Sequence, residues 1–167
     1  MPRKETIRKA NQDKKAGKSP STQAGEFVRE QMDNIRLGRH GARSPQQAIA
    51  IGLSEARRAG VELPPPAKGK AKAPTRRSAK YAYEAGQGQR TPKRRPRVAR
   101  AVKRALKREP QRSASRSALS RQAKRAADRR GAASRTAAAR KAVRTKGVRG
   151  RSAAAKEAAR TRAKRKK

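Results

Sequence analysis

The sequence has no cysteine and no tryptophan, one phenylalanine and two tyrosines. Without thiols there is no disulfide framework and no thiolate chemistry, and a chain so poor in rings has little on which to stack unpaired bases. Histidine occurs once, at His40. With no cysteine and no cluster of carboxylates, no metal-ligand set is legible. His40 and Ser44 lack the orienting acid and the oxyanion donors of a catalytic pair. No glycine-rich phosphate loop is present either, so neither an enzyme nor a cofactor is expected. Long apolar runs are missing as well: nothing approaches the ~18 residues of a membrane span. The opening MPRKETIRKANQDKKAGKSP holds no apolar core of a secretory leader, so a cytoplasmic protein away from membranes is expected.

Acidic residues are the other scarcity. The chain of 167 residues carries 50 Lys+Arg against 11 Asp+Glu, a formal net charge of +39. Low hydrophobicity combined with charge of one sign leaves too little apolar surface to offset ordering entropy. The expected fold class is therefore mostly disordered with some α, a short helical hairpin followed by a long basic tail whose helices are transient or induced by binding. Such a charge predicts a polyanionic partner, nucleic acid above all.

The charge is divided unevenly. Residues 1–63 hold 13 Lys+Arg and 7 Asp+Glu, whereas residues 64–167 hold 37 and 4. The boundary falls at LPPPAKGKAKAPTRR, where Pro64, Pro65 and Pro66 remove backbone donors and favour a stiff extended segment. The organisation read from this is a basic disordered tail over 1–20, a helical hairpin over 21–63, a Pro-rich basic linker over 64–96, and an Arg/Lys/Ala-rich low-complexity tail over 97–167.

The hairpin rests on two periodic stretches. In STQAGEFVREQMDNIRL, Val28, Met32 and Ile35 recur at helical spacing, with Ala24 and Phe27 on the same side. Ser21 or Thr22 can cap the start and Gly38 can end it. In HGARSPQQAIAIGLSEARRAG, Ser44 is the N-cap, Pro45 takes the first helical position and Gln47 completes a capping box. Ile49, Leu53 and Ala56 form its stripe, and Gly60 supplies the stop. The candidate hairpin core is Phe27, Val28, Met32, Ile35, Ile49 and Leu53. So small a unit usually needs help, so a homo-oligomer through the hairpin, or a partner, is expected to complete its core. Its connector GRHGARS is longer than that of a helix-turn-helix, and its helices carry acids a DNA groove would repel.

In the tail, RPRVARAVKRALKRE places Val98, Val102 and Leu106 at helical spacing with basic residues elsewhere, and a loose Arg-Ser/Thr-Ala motif recurs from Arg116, Arg135 and Arg151. The candidate nucleic-acid-binding cations are Lys93, Arg94, Arg95 and Arg97 in and beside the T-P-K-R turn, then Arg100, Lys103, Arg104, Lys107 and Arg108. Further along come Arg121, Lys124, Arg125, Arg129 and Arg130, then Arg140, Lys141, Arg144, Arg149, Arg151, Arg160 and Arg162. The tail's charge matches roughly 56 Å of duplex, and if about eight cations engage phosphate the log–log salt slope is about −7.

The stretch GEFVREQMDNIRLGRHGARSPQQAIAIGLSEARRAGVELPPP, within residues 19–66, resembles a segment of small basic bacterial proteins known as a domain of unknown function. That resemblance implies no activity. The tail resembles the Ala- and Lys-rich tails of histone H1-like bacterial proteins, except that here Arg outnumbers Lys 23 to 14. The expected function is sequence-tolerant binding of double-stranded DNA at the nucleoid, without catalysis, by neutralising phosphates. Binding RNA or the ribosome is the first alternative; an interaction module with a merely localising tail is the second.

Overall fold

A computed structural model describes residues 2–93 and 95–166. Among them run α1 (Lys4–Lys15), α2 (Pro20–Arg36), α3 (Pro45–Arg58), α4 (Ala73–Gly86), α5 (Pro96–Arg108), a 3-10 turn at Gln111–Ala114, α6 (Arg116–Arg129) and α7 (Gly131–Lys166). The chain divides into two compact units, Met1–Gln122 and Ala123–Lys167. Helix therefore occupies most of the described residues, which overturns the expectation of a mostly disordered chain with a short hairpin and transient tail helices. Net charge argued against order, but Ala, Arg, Lys and Gln are strong helix formers, and the hairpin finds its missing apolar surface within its own chain.

α2 begins at Pro20, ahead of both candidate caps, with Ser19 before it; proline's fixed φ suits that position. Its end is a left-handed Gly38 at φ 69°, where Gly38 N–H bonds Ile35 O and Arg39 N–H bonds Asn34 O, satisfying carbonyls the helix leaves open. At the start of α3, Ser44 Oγ accepts from Gln47 N–H at 3.2 Å. The reciprocal bond reaches one residue further back than the capping box requires: Gln47 Oε1 accepts from Arg43 N–H at 2.8 Å.

In the first unit α1 packs on α2, α2 on α3 and α3 on α4, while the 3-10 turn packs against both α2 and α3. The core has two parts. Phe27, Ala24 and Ala56 join Ala10 of α1 and Val61 beyond α3, with Ile7, Leu53 and Leu63 against them. Met32, Ile35, Ala42 and Ala48 join Ala114 of the 3-10 turn, with Val28, Ile49 and Leu119 against them. Of the candidate hairpin core, Phe27, Met32 and Ile35 are buried, and Val28, Ile49 and Leu53 are partly buried. Alanine supplies much of the packing, which lets helices approach closely. Gly52 of α3 marks the tightest point against α2: a Cβ there would lie 2.7 Å from Val28 Cα and 2.9 Å from Val28 N.

Two buried charged groups hold the edges. Glu30 accepts from Arg3 N–H through both carboxylate oxygens, at 3.1 and 3.2 Å, pinning the start of α1 to α2. The buried Arg57 donates from Nε to Leu63 O at 3.0 Å and from Nη2 to Pro64 O at 3.4 Å, fastening the chain as it enters the proline run.

The second unit holds the last turns of α6 and the whole of α7. Gly147, at φ 60° and ψ −179°, breaks α7 into two helical stretches. Its side chains are exposed wherever they are described.

Candidate nucleic-acid interface

α5 is the one candidate segment whose sequence sorts charge from apolar surface completely. At 100° per residue, Arg97, Arg100, Lys103, Arg104, Lys107 and Arg108 fall within an arc of about 140°, and Val98, Ala99, Ala101, Val102, Ala105 and Leu106 fill the opposite side. Five of the cations, Arg97 to Lys107, line a shallow concavity of about 580 Å³. None of the six pairs with a carboxylate among the described residues. Like charges at i, i+3 and i, i+4 repel, so this face is raised in energy until an anion meets it.

What places α5 is the α2–α3 loop. Gly41 N–H donates to Leu106 O at 2.7 Å and Ala42 N–H donates to Pro110 O at 3.2 Å. Arg36 Nε donates to Ala114 O at 3.1 Å, across 78 residues of sequence. The GRHGARS segment therefore holds the carboxyl end of the basic helix, and it can do so only because Gly41 has no side chain: a Cβ would overlap the Glu109 carbonyl. Gly41→Ala is expected to destabilise the first unit by about 1–3 kcal/mol. A urea unfolding curve checks the magnitude, and faster hydrogen exchange at the Ala42 amide than in the parent chain checks the site.

His40 sits inside this loop with both ring nitrogens engaged. Nδ1 lies 3.0 Å from Gly41 O and Nε2 lies 3.0 Å from Gln31 Oε1. Gln31 in turn donates from Nε2 to Glu55 Oε2 at 2.6 Å. Burial pushes the Glu55 carboxyl above the usual carboxylate range, and the charge of Glu30 adds to it. His40 is thus a structural tie in the loop that grips α5, a role that composition did not reveal.

The other candidate cations are more dispersed. Lys93 donates its backbone N–H to Tyr81 Oη at 3.3 Å, Arg95 precedes the first turn of α5, and Arg94 lies outside the described residues. Arg121 lies on the part of α6 in the first unit. In the second unit Lys124, Arg125 and Arg129 lie on α6 and Arg130 follows it; Arg140, Lys141 and Arg144 precede the break at Gly147, and Arg149, Arg151, Arg160 and Arg162 follow it. Arg140, Lys141 and Arg144 are spread over about 100° of the helix with Arg135 on the far side, so α7 has no apolar face like that of α5. Of the two tyrosines, Tyr81 is exposed but has the Arg90 guanidinium 5.2 Å from its ring centre.

Sequence reasoning missed two elements here, the Gly41–Ala42 grip and the placement of Arg36 beside the 3-10 turn. Both join residues far apart in sequence, and the only local sign was a glycine in the connector. Among the described residues no group of three or more His, Asp or Glu side chains could hold a metal ion, and no helix is long and apolar enough to cross a membrane.

Residues 4–68 match the model of a family of unknown function (DUF6496). A domain of unknown function therefore covers α1, α2 and α3 together with the proline run, and it ends before α4. No curated protein and no solved structure matches the chain.

Proposed function

We propose that this chain is a non-enzymatic, nucleoid-associated protein that binds double-stranded DNA with little regard to sequence, its cationic segments acting as a histone H1-like coat. The observation that carries the reading is α5: six cations, unpaired among the described residues, on one face of a helix about 20 Å long, fastened at its carboxyl end to a folded support. The same length of duplex presents about twelve phosphates, so the face meets more anions than it can neutralise, and no side chain needs to read a base edge. The cations of α6 and α7 extend the contact. The domain of unknown function is then the scaffold and α5 the working surface.

The test is a salt-titrated competition of the full chain for labelled duplex DNA against unrelated duplexes and structured RNA. Equal competition by unrelated duplexes, with a log–log salt slope of about −7 or steeper, is expected. If RNA competes far better per phosphate, the function is RNA binding; if binding is sequence-dependent and shallow in salt, the coating reading is wrong.

A further inference from the structure

The structure points to a second site, and we propose that it is a phosphate-binding cleft formed by Arg36, Arg112 and Arg116. The three guanidinium groups come from α2 and from the chain around the 3-10 turn, and with Gln111, Ala114 and Ser115 they line a cavity of about 480 Å³. No carboxylate belongs to the lining. Arg36 is held in place: Nε donates to Ala114 O at 3.1 Å and Nη1 donates to Asp33 Oδ1 at 3.3 Å. A guanidinium has five N–H donors, so three remain for a ligand. Arg112 and Arg116 are exposed and pair with no carboxylate among the described residues.

The chemistry selects for phosphate. Several planar, always-charged donors around one concavity match a group with oxygens pointing in several directions, which a carboxylate lacks. The cavity also opens at the start of α6, where Ser115 Oγ accepts from Ala118 N–H at 3.2 Å and the preceding N–H groups have no acceptor within their own helix. Asp33 offsets part of the positive charge and tempers the affinity. The cleft differs from the α5 face in kind: it is concave, its members come from distant parts of the sequence, and Arg36 lies in the segment matched to the family of unknown function.

A phosphate group reaches such a cleft either as part of a nucleic-acid backbone or on a free molecule, so the inference rests in part on the nucleic-acid reading. Side-chain NMR of the full chain separates the outcomes. Inorganic phosphate is titrated at salt high enough to screen diffuse attraction, and the Arg36 Nε–H signal is followed. A saturable shift is expected, weakened at least roughly tenfold by Arg112→Gln with Arg116→Gln. The equal-charge control, Arg97→Gln with Arg100→Gln, is expected to leave it within about twofold. Linear shifts spread over all arginines, or equal weakening by both pairs, overturn the cleft.

Adding a short duplex then identifies the source. Displacement of phosphate by the duplex supports a backbone ligand; a duplex that binds elsewhere and leaves the Arg36 signal in its phosphate-bound position supports a free one. A chain that saturates with phosphate but binds no duplex keeps the cleft and removes the coating function. The reverse result removes the cleft alone.

Discussion

Phe27→Ala lowers the unfolding free energy of the first unit by about 3–5 kcal/mol, an amount comparable with the whole stability of many small domains. Phe27 is the only phenylalanine in the chain and, among the described residues, one of two large side chains that are fully buried. It lies between Ala10 of α1, Ala56 of α3 and Val61. Those neighbours are small and sit on three different segments, so they cannot close over the vacated volume without moving helices. Denaturant unfolding followed by circular dichroism gives the number. A loss below about 1 kcal/mol would mean that the alanine contacts, rather than the ring, hold α1 and α3 to α2. Ile35, the other fully buried large side chain, belongs to the second part of the core. Ile35→Ala is thus the comparison that shows whether the two parts unfold together.

If the proposed function holds, replacing Arg97, Arg100, Arg104 and Lys107 by Gln is expected to reduce the log–log salt slope of duplex binding by about 3 to 4, and to weaken binding by roughly a factor of 10² to 10³ at moderate salt. The four side chains are exposed and share one face. They have no carboxylate partner among the described residues, so removing them relieves repulsion in α5 and leaves the packing of α1 to α4 intact. The matched control removes Arg140, Lys141, Arg144 and Arg149 from α7, where the cations flank the break at Gly147 and face several directions. If both sets reduce the slope equally, charge alone drives binding and the held face of α5 adds nothing. If the α5 set reduces it more, the fold has concentrated the contact.

Local chemistry was legible in the sequence and tertiary assembly was not. Ser44, Pro45 and Gly38 act through neighbours within a few residues, so their roles could be read directly. The cations of α5 were legible for the same reason, because Val98, Val102 and Leu106 mark the helical period. α1 escaped notice: its packing face is Thr6, Ile7 and Ala10, which resembles any polar helix. The same difficulty hid the extent of order. A core built on Ala10, Ala24, Ala48, Ala56 and Ala114 buries little apolar area per residue and gains through close approach instead. Such packing leaves almost no trace in a hydropathy profile. The Gly41–Leu106 and Arg36–Ala114 bonds span more than half of the first unit, and no pattern within a window of neighbouring residues encodes them.

That span also sets an order of events during synthesis. α1, α2 and α3 meet through neighbouring segments, so they can assemble as soon as the proline run has been made. The partners of Arg36, Gly41 and Ala42 are added roughly 2–9 s later, at 5–20 residues per second. Helical contacts between neighbours form in micro- to milliseconds, so α1, α2 and α3 can meet before Leu106 and Pro110 arrive. The basic helix is thus seated late, followed within the first unit by the 3-10 turn and the start of α6. It joins a template already begun, and its six cations stay in the open until then.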